Sequence, residues 1–119
     1  MAAGIYNFTI EQGTTFKRTF KYKDANGDGV DLSSHSVRMQ IRKNIGGDLI
    51  SSFTEEGSDK FTVGGVANNE FTLVIAAAST SAYTFNTAVF DIEIEKDSEV
   101  TRLLQGKIKL SKEVTIATT

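Results

Sequence analysis

Residues 87–96 read Thr87-Ala88-Val89-Phe90-Asp91-Ile92-Glu93-Ile94-Glu95-Lys96. From Phe90 onward, apolar and acidic side chains alternate with a period of two, the spacing at which a pleated strand sends successive side chains to opposite faces. Phe90, Ile92 and Ile94 therefore point one way, and Asp91, Glu93 and Glu95 the other. One oily face and one wet face is the pattern of a sheet packed on a single side. Residues 36–43 repeat it, with Val37, Met39 and Ile41 facing inward and Arg38, Gln40 and Arg42 outward. Residues 70–75 place Phe71, Leu73 and Ile75 on one face. In residues 14–23, Phe16, Phe20 and Tyr22 share a face opposite Thr15, Lys17, Thr19, Lys21 and Lys23. Arg18 falls on the aromatic face, so it is expected to be paired or to lie near the sheet end.

Further strands are read at 5–11, 49–54, 60–63 and 99–110, separated by Gly, Asn, Asp and Ser clusters. Asn26-Gly27 and Asp28-Gly29 suit a tight hairpin reversal, because both dipeptides tolerate positive φ. Turns are also read at 44–48, 64–69 and 97–98, and residues 111–119 trail off the last strand. Only 76–82, Ala76-Ala77-Ala78-Ser79-Thr80-Ser81-Ala82, suggests a helical turn, a short crossover between sheets. About eight strands (between seven and nine) at this rhythm predict one all-β, antiparallel sandwich over residues 1–119. Strands of this kind leave pairing-competent edges, so a neighbouring subunit is expected to cover one.

The composition fits a single folded domain: 119 residues, 39% hydrophobic, 24% charged, with eight Phe, three Tyr and no Trp. The formal charge of −2 gives no electrostatic footprint for nucleic acid. Cysteine is absent, so thiolate chemistry and disulfides are excluded. The start, Met1-Ala2-Ala3-Gly4, has no basic segment before an apolar run, and no signal peptide is read there. The longest apolar run, near 73–78, is too short to span a membrane. The expected setting is a cytoplasm, where the sequon Asn7-Phe8-Thr9 has no consequence.

Candidates for chemistry are few. Asp24-x-Asn26-x-Asp28-Gly29 matches the first half of a calcium loop, but its twelfth position is His35 rather than a bidentate Glu. Asp24, Asn26 and Asp28 are thus a weak cation candidate beside a stronger hairpin reading. His35 is the only histidine and is read as a solvated loop residue; with no Cys beside it, neither a nucleophile–base pair nor a zinc site is expected. No cofactor is implied. The row Asp91, Glu93, Glu95 is read as charge on an exposed strand face, facing Arg38 and Arg42, or Lys17 and Lys21, across the sheet or a subunit boundary. These five residues, Arg38, Arg42, Asp91, Glu93 and Glu95, are the candidate protein contacts. A small hydrolase built on Asp91 or Glu93 would need a deep cleft and a raised carboxyl pKa. A carbohydrate-binding module would need exposed aromatics.

Four segments in order carry a family resemblance: Phe8-Thr9-Ile10-Glu11-Gln12-Gly13-Thr14-Thr15-Phe16; Val30-Asp31-Leu32-Ser33 followed by Val37-Arg38-Met39-Gln40-Ile41-Arg42; Phe90-Asp91-Ile92-Glu93; and Val100-Thr101-Arg102-Leu103-Leu104-Gln105-Gly106-Lys107-Ile108 with Ser111-Lys112-Glu113-Val114-Thr115. Together they resemble the immunoglobulin-like domain of phage and prophage tail and baseplate accessory proteins, including the N-terminal domain of baseplate upper proteins. The resemblance implies a non-enzymatic virion protein, assembled in the bacterial cytoplasm and contacting other virion proteins in a symmetric, multi-copy arrangement. In multidomain relatives the domain anchors a receptor-binding arm. The domain alone implies an adaptor role on the tail, neck or baseplate, or a decoration (cement) role on the head.

Overall fold

A computed structural model describes residues 4–65 and 68–115. The reading of the first three residues, the middle of the 64–69 turn and the last four residues of the tail lie outside the described residues. Among the described residues there are nine strands: β1 Gly4–Ile5, β2 Phe8–Glu11, β3 Phe16–Lys21, β4 Ser36–Arg42, β5 Leu49–Phe53, β6 Lys60–Gly64, β7 Glu70–Ile75, β8 Thr87–Lys96 and β9 Glu99–Ser111. One short helix, α1 Ala77–Ser81, bridges β7 and β8. The larger sheet runs β1-β9-β8-β4-β5, with β2 also paired to β9, and the smaller runs β3-β7-β6. The fold is thus an all-β sandwich.

Pairing is antiparallel except at one edge, where β1 and β2 run parallel to β9. This corrects the wholly antiparallel expectation. The turn after Glu11 sends β3 into the smaller sheet, so β2 pairs with the last strand instead of its sequence neighbour, and both point to the same end. The expected 5–11 strand is also broken at Tyr6-Asn7. There the backbone N–H of Tyr6 donates to the Gln105 carbonyl (2.9 Å), while the Asn7 side-chain oxygen accepts from the Lys107 N–H (2.9 Å). The crossing segment lies so close to Gly106 that a Cβ there would overlap the Tyr6 carbonyl oxygen.

The core forms where the alternation points. All eight Phe are buried, and Ile10, Leu32, Ile41, Leu73, Ile75, Ile92 and Ile108 have no exposed surface. Phe8 links the sheets, 5.2 Å from Phe16 and 5.0 Å from Phe90 between ring centroids. Phe71 stacks on Phe20 at 5.3 Å and meets Phe61 edge-on at 5.9 Å. Arg18 closes the gap between the β2 and β3 edges: it donates to the Tyr6 hydroxyl, and its guanidinium lies 5.3 to 5.9 Å from the Tyr6, Phe8 and Phe16 rings. Cation–π attraction at such half-buried positions offsets part of the desolvation of that charge.

At the other end, Asp97 (φ 52°) and Ser98 (φ 67°) connect β8 to β9, both in left-handed conformation. A two-residue turn with positive φ at both positions favours Gly at the second. Ser98→Gly is expected to stabilise the domain by about 0.5–1 kcal/mol, read as a higher urea midpoint at unchanged m-value. A lower midpoint would mean that the turn does not carry this strain.

Candidate functional site

The five charged candidates occupy one surface, the outer face of the larger sheet. Strand register arranges it in rows. Arg38 faces Glu93, and Glu93 faces Arg102. Gln40, Asp91, Gln105 and Ile5 form the next row, across four strands. Arg42, Val89 and Lys107 form the row after it. An acidic column on β8 thus lies between basic columns on β4 and β9.

Much of this charge is satisfied within the chain. The Arg38 guanidinium donates from Nε to Glu93 (2.9 Å) and from Nη1 to Glu95 (2.8 Å), and these carboxylate bonds hold it still more firmly protonated. Arg102 stands 3.5 Å from Asp91. Exposed pairs of this kind contribute little to stability, so their effect here is to fix register. Arg42 departs from expectation. It donates to the Gly47 carbonyl and to the Gln40 side-chain oxygen, both at 2.9 Å, and forms no ion pair among the described residues. The β4–β5 turn supplies the Gly47 carbonyl, Gln40 lies two residues back on the same face of β4, and Arg42 stands opposite Val89 instead of an acid. Lys17 and Lys21 lie on β3 in the smaller sheet, far in topology from the acidic row.

Asp91 sits at the floor of an open trough of about 570 Å³ across this face. Partial burial pushes its carboxyl above the usual range and Glu93 adds to the push, while Arg102, Arg38 and Arg42 pull back without cancelling it. A carboxyl raised by folding contributes stability only below its unfolded pKa and loses it as pH rises through the folded value. At neutral pH the Asp91 charge therefore opposes folding slightly. Asp91→Asn is expected to raise the melting temperature by about 1–2 °C at neutral pH, a small gain because the side chain is 39% exposed and screened. The gain should vanish as the pH falls below the carboxylate range. A lower melting temperature for the variant at neutral pH would show that the Arg102 contact outweighs burial.

The other candidates are used locally. Asp24 Oδ1 accepts from the backbone N–H of Asn26 (2.9 Å) and Asp28 (3.1 Å), and Lys23 bridges Gly29, so this segment is a small hairpin whose carboxylate caps its own turn. Among the described residues no cluster of His or acidic side chains has metal-binding geometry. His35 is half-buried instead of fully solvated. Its backbone N–H donates to the carbonyl of the fully buried Leu32 (3.0 Å), and its ring Nδ1 is buried without a hydrogen-bond partner among the described residues.

Sequence reasoning passed over Ile5, Ile45, Val89, Arg102, Gln105 and Lys107, all of which line the trough. The signals were present: Val89 is an aliphatic side chain on the outward row, just before Asp91, Glu93 and Glu95, and Ile45 is an aliphatic side chain inside the polar turn Asn44-Ile45-Gly46-Gly47. No protein-family model and no curated protein matches the chain.

Proposed function

We propose that this protein is a non-enzymatic, immunoglobulin-like structural protein of a bacteriophage virion, a tail, neck or baseplate adaptor that works by protein–protein contact through the outer face of its larger sheet. The observation that carries the contact reading is the surface chemistry of that face. Ile5 and Ile45 are 77% and 93% exposed there, beside Leu49 and beside Arg42 and Lys107, which have no carboxylate partner among the described residues. Exposed aliphatics gathered with unpaired charge mark interaction surfaces, whereas scattered ones do not. The virion assignment rests on the ordered family resemblance. The strand order supports the immunoglobulin-like reading: β3-β7-β6 corresponds to strands B, E and D, and β9-β8-β4-β5 to G, F, C and C′.

Two rival functions find less support. Carbohydrate modules stack sugars on exposed rings, yet every Phe and Tyr83 are buried and Tyr6 and Tyr22 pack against the core. Glycosidic cleavage uses two carboxyl groups flanking the bond, and Asp91 and Glu93 rise from one strand on one face, with Glu93 held by Arg38. In a symmetric assembly weak contacts of this kind are multiplied by copy number.

The test is mass spectrometry and imaging of purified phage particles that encode the chain. The expected result is a fixed, symmetry-related copy number on the tail, with deletion abolishing tail assembly or infectivity. Loss of head stability on deletion would instead assign the decoration role. Absence from particles would overturn the virion reading.

A further inference from the structure

The trough's chemistry defines what it fits. Its lower row, Lys107, Val89 and Arg42, has a cation at each end, an aliphatic side chain between them and no acid. Among the described residues Arg42 is bonded only to neutral oxygens and Lys107 pairs with no carboxylate. Of the charged groups lining the trough, three are cationic and one, Asp91, is anionic and already beside Arg102, which leaves an excess of positive charge. Ile5, on the β1 edge, and Ile45, in the β4–β5 turn, stand exposed at opposite sides as apolar walls.

Dimensions narrow the choice. Strands lie about 4.8 Å apart, so Arg42 on β4 and Lys107 on β9 are separated by about 10 Å at the backbone. An extended chain advances about 3.3 Å per residue and presents every second side chain to one side. Residues i, i+2 and i+4 of such a segment span about 13 Å, which the long arms of Arg and Lys readily accommodate. We propose that the trough seats an extended segment of a different protein with the pattern acid–x–aliphatic–x–acid, its carboxylates on Arg42 and Lys107 and its aliphatic side chain on Val89 between the isoleucine walls. This rests on the contact reading given under Proposed function. A second copy of the chain meeting this face through its own equivalent face is disfavoured, because the unpaired cations would approach one another. The exposed aliphatic walls favour a protein segment over a phosphate backbone.

The probe is a displayed library of random peptides of about twelve residues, selected on the immobilised full chain and counter-selected on Lys107→Glu and Ile45→Asp variants. Both side chains are exposed, so the fold is expected to be retained, which unchanged circular dichroism verifies. The expected result is enrichment of acid–x–aliphatic–x–acid peptides whose affinity falls at least tenfold on either variant. Enriched peptides lacking acids, equal binding to the variants, or no enrichment would each overturn the proposal. So would oligo-dT binding that the same variants abolish, which would assign the trough to nucleic acid. Peptide failure with the protein still present in particles refutes this inference alone, whereas absence from particles refutes the virion role whatever the peptides show.

Discussion

Gly106→Ala is expected to cost about 3 kcal/mol and to loosen the whole N-terminal edge of the larger sheet. The added methyl group would overlap the backbone carbonyl oxygen of Tyr6, and no rotamer change relieves a clash with backbone. The only escape is for residues 6 and 7 to lift away. That movement breaks the hydrogen bonds from Tyr6 N–H to the Gln105 carbonyl and from Lys107 N–H to the Asn7 side chain. It also tilts β2, which places Phe8 and the fully buried Ile10 in the core. Burial of two such side chains contributes about 1.5–3 kcal/mol each, which sets the upper bound if the edge detaches. A domain of ordinary stability survives the loss. Urea unfolding measures the cost, and amide exchange over 8–11 locates it. A loss below about 1 kcal/mol with unchanged protection would mean that the crossing segment adjusts freely.

Phe71→Ala should cost about 3–5 kcal/mol, the range for emptying a large aromatic site. Phe71 lies on β7, the central strand of the smaller sheet, and is 1% exposed. Its ring bears on Phe20 of one edge strand and Phe61 of the other, so truncation removes the group that joins all three strands to the core. Phe71→Leu keeps most of the volume and should cost under about 1.5 kcal/mol. The contrast between the two variants in denaturant midpoint is the informative quantity. An alanine cost no greater than the leucine cost would show that the smaller sheet does not close the core through this ring.

The strands were legible where apolar residues alternate without interruption. β7 and β8 begin and end at 70–75 and 87–96 as their periodicity requires, and β4, β5 and β6 deviate by a single residue. α1 falls within the one segment, 76–82, that suggests a helical turn. Alternation reports which face a residue occupies, however, and says nothing about the partner strand. The parallel pairing of β1 and β2 with β9 therefore left no mark in the pattern, and neither did the break at Tyr6-Asn7, which depends on a glycine one hundred positions away in the chain. Of the two alternatives read for Arg18, the structure shows the pairing, since it donates to the Tyr6 hydroxyl, while its place in the middle of β3 is not a sheet end.

For the candidate site, the outward positions of Arg38, Arg42, Asp91, Glu93 and Glu95 followed from the same period. Their partners did not. A bulge between Ile92 and Glu93 slides β9 by one residue, so Arg102 instead of Leu103 comes opposite Glu93. Arg42 is claimed by a turn carbonyl, a contact that only the three-dimensional path of residues 43–48 creates. The trough needs Ile5, Ile45 and Lys107 from three separate elements, and no single stretch of sequence contains it.

Hydroxyl-radical footprinting of the protein free and within purified particles probes the working surface directly. If the outer face of the larger sheet is the contact surface, Ile5, Ile45 and Leu49 lose most of their reactivity on assembly, while Lys17 and Lys21 on the smaller sheet keep theirs. The opposite pattern, with those aliphatics as reactive in the particle as in free solution and the smaller sheet shielded, would contradict it.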